Sequence, residues 1–157
     1  MNISKLKLNR IINESIKKIL KEDYDEQISI YENMPMEEFL NLVDVEAVAE
    51  YVVNEIGDDY YHLDAETERG SMYLEYENKE DNIFVYGELE FSCPSSWNNG
   101  DWDVGIPSGY EIDAVYLNNI TDLSVSTSGE EVFYEIPRDN PFYNKLWDAI
   151  SNRLENW

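Results

Sequence analysis

The sequence is short of the residues that most catalytic and scaffolding chemistry requires. One cysteine among 157 residues excludes a disulfide within the chain and a cysteine-rich zinc site. One histidine excludes a histidine cluster. Seven glycines and five prolines exclude collagen-like or linker composition. No uninterrupted apolar run approaches the roughly 18 residues that a membrane span needs. Basic residues are scarce, 11 Lys+Arg against 34 Asp+Glu, for a formal charge of −23 at pH 7. A charge of that sign repels phosphate backbones and disfavours direct nucleic-acid binding by the bulk of the chain. There is no phosphate-binding glycine loop, no serine nucleophile elbow and no His-Glu-x-x-His. With 34 acids, some carboxylate pair meets glycosidase spacing by chance alone, so none is singled out. The sequence therefore assigns no catalytic residue, no cofactor and no metal-ligand set.

What is present is enough to fold. Hydrophobic residues make up 43% of the chain and aromatics 13%, with 12 Tyr and 4 Trp. At this length they are expected to form one compact domain with a short appendage. The charge marks where the appendage ends. Residues 1–22 hold six basic and two acidic side chains, a net +4, whereas residues 23–157 hold five basic and 32 acidic, a net −27. This break divides the chain into a basic amphipathic helix, 1–22, and an acidic α+β domain, 23–157.

Within the basic segment, Leu8, Ile11, Ile12, Ile16, Ile19 and Leu20 fall on one face of a 3.6-residue helix. Arg10, Glu14, Lys17, Lys18 and Lys21 take the other side. Asn9 is placed to cap the start, and the three lysines suit the dipole at the end. Two placements fit the stripe: packed on its own domain, or detached, with Leu8, Ile12, Ile16 and Ile19 seated in a partner's groove. A membrane-surface role fits less well, because the apolar face has no Trp or Phe and the acidic body opposes anionic lipid. The spaced apolar residues, with no continuous apolar core, also argue against a secretory signal.

The segment KLNRIINESIKKILKE resembles one that recurs at the start of many otherwise unrelated small proteins of tailed phages of gut bacteria, notably crAss-like phages. The matching positions are Leu8, Arg10, Ile11, Ile12, Glu14, Ser15, Ile16, Lys17, Lys18, Ile19 and Leu20. Where the recurring form carries a Thr-Glu-Ser-Asp type stretch, this chain has Ser4–Leu8. The resemblance covers about the first 22 residues. It implies a shared address for packaging or assembly, and hence a location in the virion or the host cytoplasm.

The body reads as helices, then strands, then a helix. Asp23–Asn33 is a polar segment. Pro35 opens a helix through Val43, and Asp44 caps a second one ending with Gly57 as its C′ residue, the two being separate or continuous. Met72, Leu74 and Tyr76 then alternate with polar neighbours, and after a turn at Asn78–Asn82 the pattern resumes at Ile83–Phe91, which predicts a hairpin. Tyr110–Leu117 reads as one strand, and Asp122–Ser126 with Glu131–Ile136 as a second hairpin. Asn140 and Pro141 open a last helix with an apolar stripe of Tyr143, Trp147, Ile150, Leu154 and Trp157. The predicted class is α+β, an antiparallel sheet packed by helices.

Two places invite a functional reading. Ser92–Gly109, SCPSSWNNGDWDVGIPSG, has 18 residues without periodicity, which is uncommon inside a compact domain. Its Trp97 and Trp102 are either partner-binding anchors or a cover for the core. Asp101 and Asp103 offer hard oxygen ligands for Ca²⁺ but lack EF-hand spacing. The strand, loop and following GYEIDAVYL are also similar to a pattern in small phage proteins. Cys93 and His62 supply a thiol and a base, yet no protease signature surrounds them, and a half-buried structural thiol is the expectation. His62 stands among acids, which suits an ion pair better than catalysis.

The expected function is accordingly non-enzymatic: a phage accessory protein, either a minor virion component or packaged cargo, that binds a protein of the phage assembly or of the host. Its candidate partner-binding residues are Leu8, Ile12, Ile16, Ile19, Trp97 and Trp102. The alternative is an acidic, DNA-mimicking inhibitor of a host nucleic-acid-binding protein.

Overall fold

The alternation that starts at Met72 sets the centre of the fold. In the computed structural model, which describes residues 5–58 and 62–157, with side chains for 7–22, 25–58 and 62–157, strand β2 (Arg69–Asn78) pairs antiparallel with β3 (Ile83–Ser92) through ten registered positions. Met72, Leu74, Val85, Leu89 and Phe91 point inward and are buried, while Tyr73, Glu75 and Glu77 face water. The turn between the strands is closed by Asn78 Oδ1, which accepts from the backbone N–H of Glu80 at 3.1 Å and of Asp81 at 3.2 Å. Strand β6 (Tyr116–Thr127) adds to β3, and β7 (Phe133–Glu135) adds to β6. The two-residue β1 (Leu63–Asp64) joins the far side of β2. The sheet order is β1-β2-β3-β6-β7, antiparallel throughout.

Tyr110–Leu117 is not one strand. Gly109–Ile112 forms β5, which pairs with β4 (Ser95–Asn98) in a separate two-stranded sheet, and the chain enters β6 only at Tyr116. The break follows Asp113, whose N–H still donates to Pro94 O at 2.8 Å in the β4–β5 register, while Pro94 has no N–H to return the bond. Asp122–Ser126 is the last part of β6 rather than a strand of its own.

Helices cover one face of the larger sheet. The segment after Pro35 splits into α2 (Met36–Asn41) and α3 (Val45–Asp58). The split is held by Asp44, whose Oδ1 accepts from the N–H of Glu46 and of Ala47, both at 3.1 Å. Gly57 lies inside α3 instead of beyond its end. The last helix, α4 (Pro141–Glu155), starts as its sequence indicates, with Asn140 Oδ1 accepting from Phe142 N–H at 2.9 Å and Pro141 in the first turn. Val48, Val52 and Ile56 of α3 and Leu146 and Ile150 of α4 are fully buried with Phe39, Leu89 and Val125. Tyr143 of α4 donates from its hydroxyl to Ile120 O at 3.0 Å, which ties α4 to β6. The chain is α+β.

The first helix departs most from the sequence reading. α1 spans Lys5–Glu32 without interruption, so Asp23–Asn33 is helical almost to its end. Asn9 sits inside the helix rather than at its cap, and Lys17, Lys18 and Lys21 lie in its middle. Residues 1–4 of the basic segment lie outside the described residues. Among the described side chains of α1, those buried are Ile28 and Tyr31, in its last two turns. Tyr31 meets Phe39 edge-on at 5.3 Å and donates to Asp81 O at 2.6 Å. Tyr134 of β7 donates to Met34 O at 3.3 Å just beyond. In contrast, Leu8, Ile11, Ile12, Ile16, Ile19 and Leu20 are 45–63% exposed, on a stretch that extends about 20 Å at 1.5 Å per residue.

Stability should follow this division. Phe39→Ala removes a fully buried ring in contact with Tyr31 and Tyr134 and is expected to cost about 3–5 kcal/mol in urea unfolding. Deleting residues 1–22 should cost less than about 1 kcal/mol. A loss of several kcal/mol on deletion would return the Leu8–Leu20 stripe to the core.

Candidate functional site

The stretch Ser92–Gly109 is an arm, not an unstructured loop. Trp97 stands opposite Tyr110 in the β4–β5 register, and beyond it Asp101 and Ile106 exchange backbone hydrogen bonds of 2.9 and 2.8 Å. Gly100 has φ +70°, and a Cβ there would come within 2.6 Å of the backbone of Ile106, Pro107 and Ser108, so the turn needs glycine. The polar side chains of the arm serve its own backbone. Asn98 Oδ1 accepts from Gly100 N–H at 2.9 Å, and Asp101 Oδ1 accepts from Asp103 N–H at 3.1 Å. Asn98 Nδ2 donates to Glu111 at 2.6 Å across the hairpin. These bonds fix the arm's shape. Among the described residues, no group of three or more His, Cys, Asp or Glu side chains is placed to hold a metal.

The two tryptophans lie outside the core. Trp97 is 56% exposed and Trp102 76%. Trp97 is held in place: its Nε1 donates to Asn99 Oδ1 at 3.0 Å, and its ring meets Tyr110 edge-on at 5.0 Å. Val104 and Ile106 extend the same apolar surface. A cover for the core, one of the two roles open to these tryptophans, is not what they provide.

At the foot of the arm lies a groove of about 910 Å³ that composition and periodicity did not reveal. It is lined by Tyr110 and Ala114, by Tyr116 at the start of β6, by Leu63 of β1, and by Leu154 of α4 with Trp157 just beyond it. Glu111, Asp113 and Glu155 supply its charge, all of one sign. Trp157, assigned by its spacing to the apolar stripe of α4, follows the helix end and is about half exposed. Its contribution becomes visible only when β5, the start of β6 and the C-terminus meet in space.

Cys93 is fully buried rather than half-buried. Its N–H donates to Glu68 O at 3.0 Å and its thiol to Asp64 O at 3.5 Å. Burial pushes the thiol pKa up, and the nearby Asp64 and Glu68 carboxylates add to the rise, so the nucleophilic thiolate is disfavoured. His62 lines a different surface depression, with Arg69, Glu90 and Asn118.

The chain thus offers two uncovered apolar surfaces, the Leu8–Leu20 stripe of α1 and the aromatic arm with its groove. Among the described residues, no helix is long and apolar enough to cross a membrane. Comparison with known protein families, with curated proteins and with solved structures finds no match to the chain.

The tryptophans should separate in unfolding experiments. Trp102→Ala is expected to leave stability within about 0.5 kcal/mol. Trp97→Ala should cost about 0.5–1.5 kcal/mol for its lost edge contact with Tyr110. Cys93, for its part, should react with a water-soluble disulfide reagent only as fast as the chain opens, and fast labelling of the native protein would show that the thiol is accessible.

Proposed function

We propose that this protein is a non-enzymatic accessory protein of a phage, a minor virion component or packaged cargo, that works by binding another protein through α1. The observation that carries the reading is the uncovered apolar stripe on the basic first half of α1, whose buried anchors among the described side chains are Ile28 and Tyr31. An amphipathic helix presented this way fits an apolar groove with acidic margins, Leu8, Ile12, Ile16 and Ile19 entering and Lys17 and Lys21 remaining at the rim. The resemblance of the same segment to one shared among unrelated phage proteins supports an address that is independent of the body. Trp97 and Trp102 give the arm the residue type enriched at binding hot spots.

One observation favours the alternative, an acidic inhibitor that imitates DNA. Glu75 and Glu77 of β2, Glu88 and Glu90 of β3 and Glu135 of β7 share the sheet face that the helices leave open. A basic nucleic-acid-binding groove would be drawn to such a face.

Capture from infected-cell lysate, run beside proteomics of purified particles, separates the two. Ile12→Asp/Ile16→Asp should weaken capture of the partner by on the order of 100-fold, since each buried Ile is worth about 1.5–3 kcal/mol. The wild-type chain should also be found in particles. Absence from particles, together with salt-sensitive capture of a host nucleic-acid-binding protein that the double variant retains, would overturn the α1 reading in favour of the mimic.

A further inference from the structure

Taking α1 as the docking helix proposed above, we infer that its exposed half enters the groove between the β4–β5 arm and α4 of a second copy of the same chain. The two surfaces are complementary in both respects that matter for a helix in a groove. The helix carries an aliphatic stripe, and the groove walls are Tyr110, Tyr116, Leu154 and Trp157. Residues 5–22 carry a net +4, and the charged residues of the groove are Glu111, Asp113 and Glu155. Exposed apolar surfaces of this kind on one molecule mark interaction sites.

Position makes the contact intermolecular. α1 is rooted at the turn end of the sheet, where Tyr31 bonds Asp81 beside the Asn78↔Ile83 pair. The groove lies at the other end, beside Leu63 and Tyr116, where Arg69, Ser92 and Tyr116 are in register. A ten-residue strand of about 33 Å separates the two ends. The stripe is 45–63% exposed and so does not lie in the groove of its own chain, and because α1 runs unbroken from Lys5 to Glu32 it cannot bend there without breaking backbone hydrogen bonds. Helix and groove are different surfaces, so the contact is heterologous, and each added copy presents a fresh helix and a fresh groove.

Charge sets the conditions. Copies carrying −23 repel one another at low ionic strength, where the Debye length is about 30 Å. Near 0.15 M salt it falls to about 8 Å, which screens the bodies while leaving contacts between helix and groove in force.

Sedimentation of the full chain at about 0.15 M salt and about 100 μM tests this, a concentration that fills an interface with a Kd on the order of 10 μM. The weight-average mass should rise above twice the 18.4 kDa of one chain. The helix variant Ile12→Asp/Ile16→Asp and the groove variant Tyr116→Arg/Glu155→Lys, all at exposed positions, should each remain monomeric. An equimolar mixture of the two should form dimers and stop there, because only one intact helix and one intact groove can meet. A monomeric wild type or a monomeric mixture overturns the inference. So does a groove variant that associates as the wild type does, which would show helix pairing with helix. Capture of the lysate partner is read separately: if the helix variant loses it while the wild type stays monomeric, self-docking fails and the docking role of α1 stands.

Discussion

One face of the β2–β3–β6 ladder has to be kept from water, and the order of elements along the chain answers that requirement. Leu74, Ile83, Val85, Leu89, Phe91, Ile120 and Val125 are all but inaccessible to solvent. They project from strands whose opposite positions are mostly polar, Glu, Ser, Asn and Thr, with Tyr73, Phe84 and Tyr86 among them. A period of two forces this segregation, and the helices are what the apolar side selects to cover it. α3 and α4 pack together over the sheet, and Arg153 of α4 meets Glu46 of α3 at 3.3 Å on their exposed side. That ion pair is solvated and contributes little beside the burial beneath it.

With the sheet covered from Phe39 onward, α1 has no core left to complete. Its last two turns take a small site at the turn end of the sheet, shared by Phe39, Tyr134 and the Asp81 carbonyl. Upstream of Ile28 its exposed i,i+4 pairs, Arg10 with Glu14 at 3.0 Å and Lys18 with Glu22 at 4.0 Å, support the helix locally, each by a few tenths of a kcal/mol. An unsupported helix of that length is marginal in water, so continuity with the anchored turns contributes much of its persistence. Holding the basic first half of α1 off the acidic body keeps opposite charges apart within one chain and makes them available between chains.

The parts legible in the sequence were those whose signal is local. Met72 to Phe91 alternates over a hairpin with a polar turn, and Asn140-Pro141 marks a helix start by capping chemistry alone. Asp44 was readable as a cap for the same reason. α1 was read ten residues short because Ile28 and Tyr31, three apart in a polar stretch, make too sparse a pattern to reveal a helix held by tertiary contact. Tyr110–Leu117 reads as one strand because alternation reports faces and not partners; the chain pairs with β4 as far as Asp113 and with β3 only from Tyr116. The arm was hidden by Gly100, Gly105 and Pro107, which interrupt its pattern without ending its pairing. Trp97 and Trp102 stood out by residue type, whereas the groove beside them draws on Leu63, Tyr116 and Trp157, far apart in sequence and without a shared motif.

The outermost strands of the larger sheet are its shortest, two residues in β1 and three in β7. A sheet edge is a template for strand addition in proportion to the length of unpaired backbone it presents, and Asp64 and Glu135 place carboxylates on these two. They pair only with Arg69 and Gly70 of β2 and with Ser124–Ser126 of β6, so the rest of those two long strands keeps an edge that no described strand of the larger sheet covers. Charge guards that edge: Glu75 and Glu77 on β2 and Asp122 on β6 set like charges against a strand added from another copy, so crowding the chain favours contacts between side-chain surfaces over continued sheets.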